Sequence, residues 1–241
     1  MTGSGSTPSE PGRESALRPV DVYVESGTKR TFVGAIDWPG WCRAGRDEAT
    51  ACEALLDHEA RYRSVLDDAG IDFPAGPDST VPTQLRVEQR LAGTPTTDFG
   101  APDGSPEDDE RPVSETDLSR LRGILEACWA AVDRARAGAP AELRKGPRGG
   151  GRDREAIYDH VLDAEAAYLS RLGGKAAVSA PWSPERVTLE RAGMIAGLEA
   201  AARGQVPIAG PRGGRRWSAR YFVRRVAWHA LDHAWEIEDR S

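Results

Sequence analysis

At 241 residues, 39% of them hydrophobic and with a formal net charge of -6, the chain is long enough for one large domain or two small ones. No run of 18 or more apolar residues occurs, which excludes a spanning helix by length, and the acidic balance argues against a general nucleic-acid binder, since a phosphate backbone rewards excess cation. Cys42, Cys52 and Cys128 form no CxxC pair, so neither a disulfide framework nor a zinc knuckle is expected.

Residues 1–18 are Ser, Gly, Pro and Glu with little to bury, and read as a disordered tail. They also lack the apolar core of a signal peptide; with the unpaired cysteines, this makes a reducing cytoplasm the expected setting. Val20 to Glu25 alternates as a strand, Ser26-Gly27 supplies turn chemistry, and Arg30 to Asp37 reads as the second arm of a hairpin. Trp38-Pro39-Gly40-Trp41-Cys42 then reads as a turn with exposure-prone aromatics; Trp38 and Trp41 are expected to cover the module's core or pack against the bundle, a partner surface being the alternative. Asp47 is placed to cap a helix that runs to about Asp67 through Ala51, Leu55, Leu56 and Tyr62. Gln84 to Leu91 looks like a third strand, completing a small α/β module over 19–100. Residues 101–113 are Pro, Gly and acids without an apolar anchor, the composition of a linker.

From 114 to 241 the period changes to helix. Ser114 with Asp117 offers a capping arrangement, followed by Leu118, Leu121, Ile124, Leu125, Cys128, Trp129 and Val132 at three- and four-residue steps. A second helix opens near Asp153, carries Ile157, Val161, Leu162, Tyr168 and Leu172, and stops at Gly173-Gly174. A third opens at Ser183-Pro184 and runs to about Arg203; a fourth begins near Ser218 and uses Phe222, Val226, His229, His233 and Ile237. The expected fold class is α+β: a ββα(β) module followed by a four-helix bundle.

Of four histidines, two fall on the apolar stripe of the last helix. His229 and His233 stand at i and i+4, so both imidazoles share one face, a spacing by which one helix presents two ligands to one metal. His160 sits mid-helix beside the inward-pointing Ile157 and Val161, and a third ligand from across a helix interface is geometrically reasonable. Three neutral imidazoles leave coordination positions open to water or substrate, the pattern of a catalytic site, and zinc, nickel or iron all suit it.

The stretch Ile157-Tyr158-Asp159-His160-Val161-Leu162-Asp163-Ala164-Glu165 resembles the second-helix histidine segment of the DinB-like superfamily. Ala227-Trp228-His229-Ala230-Leu231-Asp232-His233-Ala234-Trp235-Glu236 resembles that family's fourth-helix HxxxH. The resemblance covers about residues 114–240 with the three histidines in matching order. It implies a four-helix bundle with a three-histidine metal site. It also implies, for some members, a transferase or isomerase activity using a low-molecular-weight thiol. More locally, the two strands, Asp37-Trp38-Pro39-Gly40-Trp41-Cys42, Gly45, Asp47-Glu48 and the helix after them resemble the N-terminal half of HicB-type antitoxin domains over 20–67. Trp41 interrupts the Pro-Gly-Cys order and no DNA-binding segment comes after it. In that family the module binds partner proteins or is a degenerate nuclease-like fold.

Asp163, Asp232 and Glu236 each follow a histidine by three residues. Such carboxylates can accept the second imidazole N–H or act as a base, or they can pair with Arg224, Arg225 or Arg240. Glu236 is the preferred catalytic candidate. Two Arg-Gly segments precede the second and fourth helices. Arg144, Lys145, Arg148 and Arg152 in the first, with Arg215 and Arg216 in the second, are candidates for holding an anionic cofactor such as a thiol's carboxylates. In an up-down bundle both segments would share one end. His58 reads as a surface histidine, and the cysteines as small hydrophobes.

The leading expectation is therefore a divalent-metal enzyme (Zn, Ni or Fe), a thiol-dependent transferase or isomerase or a hydrolase, acting on a small polar molecule. Its expected partners are that small-molecule substrate and, left open, a second copy in a homodimer; neither nucleic acid nor membrane is expected. The alternative is a non-catalytic binding or regulatory protein whose α/β module engages a protein partner while the bundle serves as scaffold.

Overall fold

A computed structural model describes residues 19–73, 83–146, 150–175, 181–211 and 213–241. The fold is mixed α+β, a four-stranded sheet followed by helices. Strands β1 (Val20–Ser26), β2 (Thr31–Ala35), β3 (Cys42–Gly45) and β4 (Leu85–Ala92) stand in the order β3-β2-β1-β4. The hairpin expected from the alternation forms, with Val24 opposite Val33. β4 lies parallel to β1, and a parallel partner needs a crossover; helices α1 (Glu48–Asp57) and α2 (Glu59–Asp67) lie within it. The single helix expected from Asp47 is thus two, divided at His58, and Asp47 caps the first through Thr50.

Both faces of the sheet are covered. Val20, Val22, Val24, Val33 and Ala35 share a core with Ala51 and Leu55 of α1. On the other face Phe32 and Cys42 meet Trp228. Glu25, outward in a simple alternation, is wholly buried. The loop beyond β4 encloses it, with Thr97 Oγ1, Asp103 N (3.0 Å) and Gly104 N (2.8 Å) donating to its carboxylate. The burial cost of this acid is met by donors rather than by a cation.

The turn at 38–42 turns its exposure-prone aromatics inward, the packing expected of Trp38 and Trp41 against the module's core and the helices. Trp41 is fully buried: its indole donates to Leu55 O at 2.8 Å and stacks on Tyr62 at 5.7 Å. Gly40 has φ +97°, and a Cβ there would stand 3.0 Å from Leu231 and 3.3 Å from Cys128. The turn is driven into the helices, and Cys42 already belongs to β3.

After a short helix α3 (Pro95–Phe99) come four long helices that pack on one another: α4 (Glu115–Gly138), α5 (Arg154–Leu172), α6 (Pro184–Ala202) and α7 (Ala219–Arg240). The expected caps at Ser114, Gly173 and Ser183-Pro184 are present, and Ser218 caps α7. Pairs at the helix ends give the directions. Arg220 with Asp117 joins the N-termini of α7 and α4 (2.8 Å). Arg136 with Glu155 (2.6 Å) and Arg203 with Glu115 (3.2 Å) set α5 and α6 antiparallel to α4. α5 and α6 therefore run the same way, and both oppose α7. No helix among the described residues is long and apolar enough to cross a membrane.

The acidic stretch expected as a linker is fastened by charge. Its 3₁₀ turn at Glu107–Glu110 buries Asp109, which receives Arg224 of α7 at 2.9 Å (Nε) and 2.6 Å (Nη2). The same guanidinium donates to Ala35 O (2.8 Å) and Ile36 O (2.9 Å) at the end of β2. One arginine thus ties strand, 3₁₀ turn and helix together, and one apolar core runs from the sheet through α7.

Candidate metal centre

Because α5 opposes α7, its midpoint crosses the middle of α7, and His160 meets the His229–His233 face. The three side chains each bring one ligand nitrogen to a group in which all lie within 4.8 Å of one another. Ring centroids are 5.1 Å apart for His160 with either partner and 4.6 Å for His229 with His233. His160 Nε2 and His229 Nε2 face each other at 3.3 Å. Two nitrogens bound at ~2.0–2.1 Å in a tetrahedron stand about 3.3 Å apart, so this edge already has the dimension of a zinc-type site.

The protonation states suit ligation. Burial, then the neighbouring His233 and His160, holds His229 well below the ordinary imidazole range; burial, then His233, also lowers His160. Both are neutral donors of a lone pair at neutral pH. His233 Nδ1 contacts Glu236 Oε2 at 2.8 Å, which leaves Nε2 free to turn inward. The hydrogen bond from His233 holds the Glu236 carboxyl below its usual range, and Arg240 grips its second oxygen at 2.5 Å. Arg240 is itself fixed by the carbonyls of Arg152 (2.7 Å) and Arg144 (3.0 Å). Glu236 therefore occupies the position of an acceptor that orients an imidazole.

The other two carboxylates do neither job. Asp232 accepts from Arg43 (2.9 Å) and Asp163 from the Trp182 indole (3.0 Å). Their i+3 spacing places them beside the ligand face, and partners from β3 and the segment before α6 draw them off it.

The two Arg-Gly segments lie at opposite ends of α7. Arg144, Lys145 and Arg152 surround its C-terminus, near Glu236, and Lys145 pairs with Asp153. Arg215 and Arg216 precede its N-terminus, bound to Glu110 (2.7 Å) and Pro207 O (3.1 Å). The composite anion site expected from up-down alternation is not formed, since parallel α5 and α6 reverse the direction of α7. Arg148 lies outside the described residues.

His58 is half-buried against Trp235 at 5.2 Å, with Nδ1 on Ala54 O, rather than on the surface, and takes no part in the triad. Cys42 and Cys128 are buried, and burial pushes the Cys42 thiol up to about 12; neither is a nucleophile. Unforeseen around the triad is a shell of rings and one cation: Tyr168 stands 5.9 Å and Trp228 6.0 Å from His229, and the Arg225 guanidinium lies over both of those rings. Arg225 precedes His229 by one turn, a signal present in the sequence, where its spacing suggested a partner for carboxylates. It has none among the described residues within salt-bridge reach.

No protein-family model matches the chain, and neither a curated protein nor a solved structure matches it.

Proposed function

We propose that the chain is a metal-dependent enzyme of the DinB-like type, with His160, His229 and His233 holding one divalent ion (Zn, Ni or Fe) between α5 and α7 of a four-helix bundle. The observation that carries this reading is the 3.3 Å approach of two imidazole Nε2 atoms, one of them on a nearly buried ring, with a third ligand nitrogen inside 4.8 Å. An ion held there would supply Lewis acidity for chemistry on a small polar substrate or thiol. The chain's own residues do the rest. Burial keeps His229 and His160 neutral. Glu236 accepts a hydrogen bond from His233 Nδ1–H and fixes that tautomer, and Arg240 fixes Glu236. The rings of Tyr168, Trp217 and Trp228 limit water on one side. Of the roles that the spacing of Glu236 allows, this arrangement favours that of a positioning residue accepting the imidazole N–H over that of a base.

Metal content measured after loading with zinc, nickel or iron tests the reading. One equivalent per chain with a thermal stabilisation, both lost in His160→Ala, is expected; no stoichiometric uptake of any of the three removes its basis. Thiol dependence is tested next, by screening low-molecular-weight thiols against the loaded protein for turnover.

A further inference from the structure

Nine buried side-chain nitrogens and oxygens among the described residues lack a hydrogen-bond partner, and four of them lie on one turn of α7: Arg225 Nε, Arg225 Nη1, Trp228 Nε1 and His229 Nδ1. A second group, Trp129 Nε1, Glu165 Oε1 and Arg191 Nε, contains its own acceptor and charge partner, since Arg191 stands 3.5 Å from the Glu165 carboxylate. The α7 group has no such remedy. Arg225 and Trp228 can only donate, and His229 Nδ1 becomes a donor once Nε2 is turned to a ligand position. Arg225 is only 6% exposed, and two of its three guanidinium nitrogens are buried without an acceptor, a costly arrangement for a fold to keep.

We infer that this turn of α7 binds the oxyanion end of a small organic molecule, carboxylate or phosphate, with the Arg225 guanidinium as its recognition group beside the three-histidine site. Three features fit that ligand. The guanidinium is a planar fork suited to a carboxylate or phosphate. The donors around it bring no competing negative charge. Tyr168 and Trp228 flank the cation at 5.7 and 5.3 Å, and half-buried Trp217 extends the aromatic wall, 5.2 Å from Tyr168; these surfaces suit an apolar or planar body behind the charge. The Arg-Gly loops expected to take this role lie at the two ends of α7, whereas Arg225 is one turn from His229. Anion binding at this turn rests on the metal reading only for the chemistry done on the bound molecule, because the unpaired Arg225 and Trp228 donors exist with or without an ion.

The test is thermal stability of the full chain, metal-free and zinc-loaded, titrated separately with benzoate and with inorganic phosphate against chloride at matched ionic strength. A saturable rise in Tm with either anion is expected in both forms, with benzoate the stronger if the ligand is a carboxylate with an apolar body and phosphate the stronger if it is a phosphate ester. Arg225→Met should weaken that binding by about tenfold or more, as loss of a charge-assisted pair implies, while its own Tm in chloride stays level or rises because an unpaired charge has gone. Arg225→Lys, which keeps the charge but not the fork, should show intermediate binding and serves if the Met variant does not fold. Wild-type protein that gains nothing over chloride from either anion overturns the inference, as does a response undiminished in Arg225→Met. Anion binding without uptake of zinc, nickel or iron leaves this inference standing and removes the metal reading; metal uptake without anion binding does the reverse.

Discussion

The Arg224–Asp109 pair sets the sharpest quantitative expectation about how the chain is held together. Both side chains are almost fully buried, 5% and 1% exposed, so solvent screening does not dilute the interaction. In Asp109→Ala, Nε of Arg224 is left without an acceptor, while Nη1 and Nη2 keep Ala35 O and Ile36 O. Removing one partner of a buried ion pair costs about 3–5 kcal/mol, because the remaining charge stays buried and uncompensated. That is a large share of the ~5–15 kcal/mol that holds a typical native chain. Asp108→Ala, in the same 3₁₀ turn, breaks a half-exposed pair with Arg111 and should cost at most about 1 kcal/mol. Urea unfolding of the two variants beside wild type measures both. The double variant Asp109→Ala/Arg224→Met should be less destabilised than the sum of its singles, since no orphaned charge remains. A loss below ~1 kcal/mol for Asp109→Ala, equal to the Asp108 control, would refute the view that the acidic stretch is an ionic fastening and would restore its reading as a linker.

The same physics bears on other groups. Burial pushes the Glu165 carboxyl up to about 7 from an ordinary 4.5. The folded state holds this proton where the unfolded chain has released it, so its contribution is complete below 4.5 and is lost as pH rises toward 7, by about 3 kcal/mol in all. Glu165→Gln should remove that slope in urea midpoints taken across the window; identical pH profiles for variant and wild type contradict it. In the metal-free protein, His229 acts with the opposite sign. Its folded value is depressed below 6.5, so its contribution is present above 6.5 and lost as pH falls, and zinc loading should steepen that acid limb. Glu236→Gln should weaken metal affinity about 10–100-fold in a chelator competition while leaving the fold intact; unchanged affinity would show that Glu236 does not orient His233. Trp41→Ala should cost about 3–5 kcal/mol, and a loss under ~1 kcal/mol would mean the 38–42 turn is not core.

Much of the helical half was legible in the sequence because its signals are local and periodic. The stripe from Leu118 to Val132, the Ser114–Asp117 box and the Gly173 stop act within one or two turns, and each appears where the pattern puts it. The clustering of three histidines was legible for the same reason: the i, i+4 pair fixes two imidazoles on one face, and His160 lies on the inward side of its own helix. What escaped was set by long-range geometry. Nothing near Trp41 signals that Leu55 O and Tyr62 await it, and nothing near Asp109 names Arg224, more than a hundred residues away. The parallel course of α5 and α6, which sends the Arg-Gly segments to opposite ends of α7, is a matter of topology that no period encodes. Arg225 was visible at the right spacing, but its significance lies in the acceptors it lacks, which only the packed structure reveals.

The most direct measurement of the central claim is crystallographic: anomalous difference density collected across the metal absorption edge from crystals of zinc-loaded protein. One strong peak is expected at ~2.0–2.1 Å from a nitrogen of each of three histidines, namely His160, His229 and His233, with Glu236 on the far nitrogen of His233. Density without a peak between α5 and α7, or an ion bound elsewhere while the 3.3 Å contact between His160 and His229 persists, would contradict it.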